Sequence, residues 1–229
     1  MKRLLLIISA ITVALACQPK CDDANYLTFK NAKWEVTNID KGIILKQYHF
    51  QGDEQIFESS QYISIIEMDT KSAATGRWAL ANDPGKITQT SKFAADSGAL
   101  VAMNGTFYNM SVPYNSVSFF RKYGELCYEF TENMGQRDNG ALAIREDGQV
   151  YLVAAPVDTA GMVLDKEWAI NIEEPHVMGS GPLLMMDGKD AYLDGSSFNV
   201  KRHPRSALAT NGKKVFLITV DGRAQGVAD

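Results

Sequence analysis

Tight-turn dipeptides set between short apolar runs most constrain how this 229-residue chain folds. Three of them are flanked on both sides by strand-like sequence: Asp147-Gly148, Asp187-Gly188 and Asn211-Gly212. Asn-Gly and Asp-Gly readily adopt the positive φ angles of tight hairpin turns, so each dipeptide predicts two antiparallel strands. The sequence therefore predicts a β-rich fold built largely from hairpins.

The rest of the chain adds strands and few helices. The segments 42–50 and 61–69 are rich in β-branched and aromatic residues and predict strands. Small and apolar residues recur at helical spacing in 86–98, and Gly98 is placed to end that helix. The apolar run ALVAM at 99–103 predicts a strand buried on both faces. Because no linker interrupts the chain from about residue 25 onward, we expect one α+β domain with a mixed or antiparallel sheet.

The first sixteen residues have the features of a bacterial lipoprotein signal peptide. Basic residues precede the apolar run 4–15, which is too short to span a bilayer comfortably. Cys17 follows small residues, as a lipidated cysteine does, and residues 17–25 are polar enough to form a tether. We expect an exported protein that a lipid on Cys17 anchors in the cell envelope, with plain secretion as the alternative.

The charge balance and the cysteine pattern exclude several classes of function. The net charge is −4 and no basic stripe is visible, so the sequence predicts no nucleic-acid partner. It contains no zinc-type cysteine pattern, P-loop or Rossmann fingerprint, and we predict neither a metal site nor a required cofactor. Cys127 is predicted to lie on a strand, and the sequence leaves open whether it pairs with Cys21.

The last hairpin places charged residues at its open end. With a two-residue turn at Asn211-Gly212, Arg205 would face residue 218. Asp221 would then lie three residues beyond that partner, roughly 10 Å away at about 3.3 Å per residue. An extended arginine side chain covers much of that distance. We therefore expect Arg205 and Asp221 to reach the same space.

A second arginine follows this carboxylate. Gly222 lets the chain turn and direct Arg223 back toward Arg205 and Asp221. Guanidinium groups bind phosphate oxygens through paired hydrogen bonds, so the three charged residues predict a phosphodiester site. A structural ion pair at the end of the hairpin is the alternative explanation of the same spacing.

Small and polar residues elsewhere are candidates for substrate binding. Asn104 and Gly105 can present an amide and backbone N–H groups to a ligand. Gly181, in the segment GSGPLLMMDGK, lets the backbone approach a ligand closely. His203 is the histidine best placed to titrate near the charged residues. An ordinary turn or strand end would explain each of them individually.

Together, four short motifs between residues 104 and 223 resemble the phosphodiester glycosidase family. They are NGTFY (104–108), GSGPLLMMDGK (179–189), HPRSALAT (203–210) and VDGR (220–223). The resemblance implies that residues 26–229 form an α+β domain whose active site draws on these motifs. It also implies hydrolysis of a sugar-1-phosphodiester at the sugar C1–O bond, with an N-acetylglucosamine-like sugar released.

The resemblance assigns roles to residues of the matching motifs. The departing phosphate needs positive charge, and Arg205 and Arg223 would supply it. Asp221 would act near the oxocarbenium-like carbon, either directly or by positioning water. Asn104, Gly105, Gly181 and His203 would contact the substrate. Phosphate is a far better leaving group than an alcohol, so strong general-acid protonation is less necessary than in ordinary glycosidases.

The sequence also departs from the family pattern. Ser206 replaces a threonine but keeps a hydroxyl group, and Thr106 stands where a second glycine is common. Family members continue past Asp-Gly-Arg into further motifs, whereas this sequence ends at Asp229. On the resemblance, we expect the C-terminal part of the domain to be missing.

Other functions fit the same residues. One alternative is a lipid-anchored protein that binds glycans without catalysis, and another is a phosphodiesterase that cleaves the P–O bond instead of the C–O bond. In each case the expected partners are a sugar phosphate or glycan and, through the N-terminal lipid, a membrane.

Overall fold

The computed structural model describes residues 23–72, 78–129, 135–165 and 167–222. The expected signal peptide, Cys17, Cys21 and Arg223 lie outside these ranges. None of the helices within them is long and apolar enough to cross a bilayer.

The secondary structure of the described ranges is dominated by strands. The helices are α1 (Ala24–Asn31), α2 (Thr90–Ser97) and α3 (Ser197–Val200). The strands are β1 (Glu35–Asp40), β2 (Ile43–Phe50), β3 (Gln61–Asp69), β4 (Phe120–Lys122), β5 (Glu125–Tyr128), β6 (Gly140–Ile144), β7 (Val150–Ala154), β8 (His176–Ser180), β9 (Met185–Met186), β10 (Lys189–Asp190), β11 (Arg205–Thr210) and β12 (Lys214–Val220).

Within the described ranges, the longer strands form two five-stranded antiparallel sheets. The first has the order β1-β2-β3-β12-β11 and the second has the order β5-β4-β8-β6-β7. The short strands β9 and β10 pair with each other. This architecture confirms the α+β class with antiparallel sheets and few helices.

The main core lies between the two sheets. Alternate side chains of β3 and β12, such as Met68 and Leu217, pack with Phe120 and Leu142 of the second sheet. Because side chains of a strand alternate between faces, the same spacing leaves a second apolar row on the outer face of each sheet. On the first sheet this outer row packs against α1 and its aromatic neighbours, and on the second against a 3₁₀ turn at Trp168–Asn171.

The turn dipeptides formed the hairpins that the sequence predicted. Asp147-Gly148 lies between β6 and β7, Asp187-Gly188 between β9 and β10, and Asn211-Gly212 between β11 and β12. The strands predicted at 42–50 and 61–69 are β2 and β3. The predicted helix is also present as α2, although it begins later than expected, and Gly98 ends it in the left-handed conformation with φ 62°. Cys127 lies on β5, where it is exposed.

The prediction of a doubly buried strand at 99–103 is wrong. The segment joins neither sheet, and Leu100 is 55% exposed. Val101 and Met103 still pack against the main core, so only alternate side chains of the run are covered. An apolar run indicates burial but does not specify a strand to pair with. The sequence therefore predicted a buried strand where the structure has a segment that pairs with neither sheet.

The predicted register of the last hairpin is also wrong, by two residues. Thr210 faces Val215, and Arg205 faces Val220 rather than residue 218. The Asn211 side chain accepts hydrogen bonds from the backbone N–H groups of Lys213 and Lys214, at 3.1 and 2.9 Å. This moves the reversal to Gly212-Lys213, with the positive φ of 77° at its first residue that type II′ turns favour.

An ion-paired glutamate joins three strands of the first sheet. Glu67 on β3 pairs with Lys214 of β12 and with Lys46 of β2, the latter at 2.8 Å. Hydrogen bonds from Lys214 and Lys46 lower the pKa of Glu67 below the ordinary value of a glutamate. The carboxylate therefore stabilises the fold above the unfolded-state value of about 4.3, and this contribution is lost as the pH falls through the lowered native pKa.

Replacing Glu67 with glutamine tests this linkage. At pH 7 we expect the free energy of unfolding to fall by about 1 kcal/mol, because water screens the partly exposed lysines. The difference between parent and variant should shrink as the pH is lowered below about 4.3. Urea unfolding at several pH values measures it. A difference that stays constant into strong acid would contradict the assignment.

Candidate functional site

A cleft of about 240 Å³ opens on the core-facing side of the first sheet. Its floor is formed by β3 and β12, and one wall is the segment 102–104. Thr90, at the start of α2, closes part of the rim. The sequence predicted Asn104 as a substrate-binding residue, and the structure places it in this lining. The segment 102–104 passes over the first sheet without pairing with it. This explains both why the strand prediction is wrong and why a cleft remains between the segment and the sheet.

A row of four polar side chains runs across the first sheet, and two of them, Ser64 and Thr219, line the floor of the cleft. Ser206, Thr219, Ser64 and Gln47 are direct neighbours on β11, β12, β3 and β2. Residues paired in this way share a face of the sheet. The Gln47 amide donates a hydrogen bond to Ser64 Oγ at 3.1 Å. The row lies on the core-facing side, beyond the point where Leu217 ends the apolar packing.

Asn104 contacts the end of this row. Ser206 Oγ donates a hydrogen bond to Asn104 Oδ1 at 2.6 Å, which joins residues from two motifs that lie far apart in the sequence. The next residue, Gly105, packs so closely that a Cβ there would lie 2.8 Å from the sulfur of Met178. Thr106 Oγ1 then donates to the carbonyl of Gly179 at 2.5 Å. The NGTFY motif is thus fixed between β11 and β8.

Gly181 occupies a position that no larger residue fits. A Cβ there would lie 2.2 Å from the Gln136 carbonyl oxygen and 2.8 Å from the Arg137 carbonyl carbon. Nearby, Asn139 Oδ1 accepts the backbone N–H of Leu183 at 2.7 Å. The glycine predicted to approach a ligand therefore approaches the backbone of the 3₁₀ turn at Gly135–Asp138.

Arg205 begins β11 and lies against an aromatic ring. Its guanidinium carbon is 4.6 Å from the ring centroid of Phe198, and its Nη2 donates to the carbonyls of Phe198 and Lys201. Within the part of the chain that the structure describes, no carboxylate pairs with it. Burial lowers the pKa of Arg205 from its ordinary value, yet an arginine stays charged at any accessible pH.

Asp221 continues the pairing of β12 with β3. Its N–H donates to the Tyr62 carbonyl at 3.1 Å, and its carboxylate accepts the Tyr62 N–H. Gly222 follows, and a Cβ there would lie 2.5 Å from the carbonyl carbon of His203. His203 is half-buried. The HPR and DGR motifs therefore meet through their backbones at the open end of the hairpin.

Some of the predicted residues are in direct contact, whereas others contact different parts of the structure. Asn104 and Ser206 are in direct contact, and His203 adjoins Gly222. Strand alternation directs Arg205 away from the face of its neighbour Ser206, so Arg205 lies against Phe198 while Asp221 is held by Tyr62. The third charged residue of the predicted phosphodiester site, Arg223, lies outside the described residues.

Two residues near Arg205 could not be identified from the sequence as part of the site. Phe198 lies on α3, and Arg137 lies in the 3₁₀ turn at Gly135–Asp138. The Arg137 guanidinium carbon is 5.6 Å from the Phe198 ring centroid and 5.8 Å from that of Phe107. A lone arginine in GQRDNG and a lone phenylalanine in SSFNV match no motif, so only tertiary structure reveals them.

Among the described residues, no group of three or more histidine, cysteine, aspartate or glutamate side chains is placed to hold a metal ion.

Comparisons with known proteins agree with the motifs. A family model of phosphodiester glycosidases matches residues 97–228, which is more than half of the chain. The solved structure of a hypothetical protein from Synechocystis is similar in fold, with a TM-score of 0.53 and 15% sequence identity. The match covers 86% of this chain and 54% of that protein, so this chain spans about half of its length. No curated protein matches the sequence.

The matched residues contain all the motifs that converge on the cleft and on the open end of the last hairpin. The chain belongs to the phosphodiester glycosidase family.

Proposed function

We propose that this protein hydrolyses a sugar-1-phosphodiester at the sugar C1–O bond and releases an N-acetylglucosamine-like sugar. The family match over residues 97–228 carries the proposal, because it covers the contact between Asn104 and Ser206 and the adjacent Arg205.

The polar row supports a place for the sugar. Sugar hydroxyl groups both donate and accept hydrogen bonds, and so do the hydroxyl groups of Ser64 and Thr219 on the cleft floor. Asn104 adds an amide at the wall, held in place by Ser206. Met103 and Leu217 supply apolar surface beside these groups. A few placed polar groups within an apolar lining are typical of small-molecule sites.

Arg205, the first residue of the edge strand β11, supports a place for the phosphate at the edge of the sheet, beside the cleft rather than inside it. Its guanidinium is half-buried, and its partners are neutral carbonyl groups and an aromatic ring. Among the residues that the structure describes, no carboxylate pairs with it, and a partly desolvated cation attracts an anion more strongly than a fully hydrated one. Phosphate oxygens match the guanidinium fork, and charge that grows on them as the C–O bond breaks is stabilised most in the transition state.

Asp221 is the carboxylate proposed for the sugar side of the reaction. It lies two residues beyond Thr219, and its bond with Tyr62 anchors one oxygen to the backbone of β3. In the proposed reaction this carboxylate stabilises the oxocarbenium-like carbon or orients the attacking water. Arg223, the next residue but one, is proposed as an additional phosphate ligand.

Hydrolysis in H₂¹⁸O tests the reaction. With a GlcNAc-1-phosphodiester as substrate, we expect the label in the released sugar, because water attacks C1. Label in the phosphate would show P–O cleavage and replace the proposal with a phosphodiesterase. Binding of the same compound without turnover would instead support a non-catalytic glycan-binding protein.

A further inference from the structure

Two polar side chains of the cleft use their oxygen atoms to accept hydrogen bonds from the protein itself. Ser64 Oγ accepts from Gln47 Nε2 at 3.1 Å, and Asn104 Oδ1 accepts from Ser206 Oγ at 2.6 Å. Ser64 and Asn104 line the cleft, whereas Gln47 and Ser206 lie outside its lining. The direction of each polar group in the cleft is therefore set by a partner behind it.

These bonds leave donors directed to a ligand. An amide nitrogen can only donate, so Ser64 is the acceptor in its bond with Gln47. Within the described ranges, the hydroxyl hydrogen of Ser64 and the amide hydrogens of Asn104 have no acceptor in the chain. A hydroxyl group that accepts one hydrogen bond also becomes a stronger donor. The cleft thus presents a surplus of donors.

The order of the strands places these donors on two sides of one space. Gln47 reaches Ser64 from the β2 side, which leaves the Ser64 hydrogen to point toward β12 and the cleft floor. Ser206 holds Asn104 from the β11 side. Thr219 lies between them on β12, as the direct neighbour of both Ser64 and Ser206. A ligand group above Thr219 therefore has a donor on each side.

The rest of the lining is apolar and uncharged. Ile66 and Leu217 are direct neighbours, two residues along the strands from Ser64 and Thr219 and on the same face, and Met103 lies on the wall. None of the eight residues that line the cleft carries a charge. A carboxylate substituent would need a cation to offset its desolvation, whereas an acetamido group needs one donor for its carbonyl oxygen and apolar surface for its methyl group.

We propose that Ser64 is a specificity-determining residue that donates a hydrogen bond to the carbonyl oxygen of an acetamido group on the sugar. Gln47 is a positioning residue that sets the direction of the Ser64 hydroxyl group. The inference rests on the proposed function for its ligand. The family match begins at residue 97, so both residues lie outside it.

Binding of two methyl glycosides tests the inference without phosphate and without turnover. Methyl N-acetyl-α-glucosaminide and methyl α-glucoside differ only at C2, and NMR titration of the parent should show about tenfold tighter binding of the first. Ser64→Ala should bind the acetamido glycoside about five- to tenfold more weakly and the glucoside unchanged. Ser64→Thr keeps the hydroxyl group and should retain most of the preference.

Gln47→Glu separates positioning from a structural role. The two side chains have nearly the same shape, but a carboxylate can only accept, so the Ser64 hydrogen would turn toward position 47 and away from the cleft. We expect the preference for the acetamido glycoside to fall about as far as in Ser64→Ala, in a protein whose circular dichroism shows that it is folded. A structural role alone would leave the preference intact.

Ser60→Ala is the matched control. Ser60 Oγ also contacts a side chain of β2, with 3.0 Å to His49 Nε2, but Ser60 lies outside the cleft lining. This variant should keep the parental preference for the acetamido glycoside. A loss as large as that of Ser64→Ala would contradict a specific role of Ser64.

The outcomes separate this inference from the proposed function. Equal affinity of the parent for the two glycosides overturns the inference even when hydrolysis is observed, and so does an undiminished preference in folded Ser64→Ala and Gln47→Glu proteins. If Ser64→Ala does not fold, Gln47→Glu decides. A preference that depends on both residues, in a protein that releases no sugar from a phosphodiester, supports the donor site and overturns the hydrolase.

Discussion

Arg205→Ala is expected to lower kcat/KM for a sugar-1-phosphodiester by about 10²–10³-fold, the effect of removing one preorganised group that stabilises transition-state charge. The guanidinium is half-buried and already stacked on Phe198, so it needs little reorganisation when charge develops on the phosphate. Steady-state release of the sugar from a GlcNAc-1-phosphodiester, assayed as free reducing sugar, measures the change.

Arg145→Ala is the control for Arg205→Ala. It removes a guanidinium that stacks on Tyr151 and pairs with Glu174, and it should leave kcat/KM within about twofold of the parent. Near-parental kcat/KM in a folded Arg205→Ala protein would contradict the phosphate role of Arg205.

Gly181→Ala is expected to destabilise the protein by about 3 kcal/mol or more, at the upper end of overpacking effects. The added Cβ would meet the Gln136 carbonyl and the Arg137 backbone, and these atoms cannot rotate away as the end of a side chain can. For a domain of this size the melting temperature should fall by roughly 6–12 °C. Thermal unfolding followed by circular dichroism measures the shift.

Gly195→Ala is the matched control for Gly181→Ala. No atom lies within 4 Å of a Cβ at Gly195, and its φ is not in the left-handed region, so the melting temperature should change little. Equal melting temperatures for the two variants would mean that Gly181 does not pack against the 3₁₀ turn as described.

The fold was predictable where local chemistry decides it. Asp187-Gly188 has positive φ at both residues, and its hairpin could be inferred from two letters of the sequence. The last hairpin was found for the same reason, but its register was missed. Asn211 prefers to accept hydrogen bonds from the backbone ahead of it, and this local competition shifts the reversal by one residue.

The site was predictable only in part because it is assembled from distant segments. Family resemblance selected Asn104 and Arg205 as candidates, but it could not show that Ser206 donates a hydrogen bond to Asn104. The polar row across β2, β3, β12 and β11 depends on a register that the sequence misplaced. Arg137 and Phe198 meet through tertiary packing alone, and no spacing rule connects them.

The Gln136 amide has a consequence for how members of the family can diverge. It forms hydrogen bonds with Tyr192, Asp194 and Asn199 and so holds the segment 192–199 in place. The segment itself belongs to neither sheet. A different segment that keeps these three hydrogen bonds would place another side chain at the position of Phe198, beside Arg205, without disturbing either sheet. In the proposed reaction, selectivity for the aglycone that is esterified to the phosphate would then change when this one short segment is replaced.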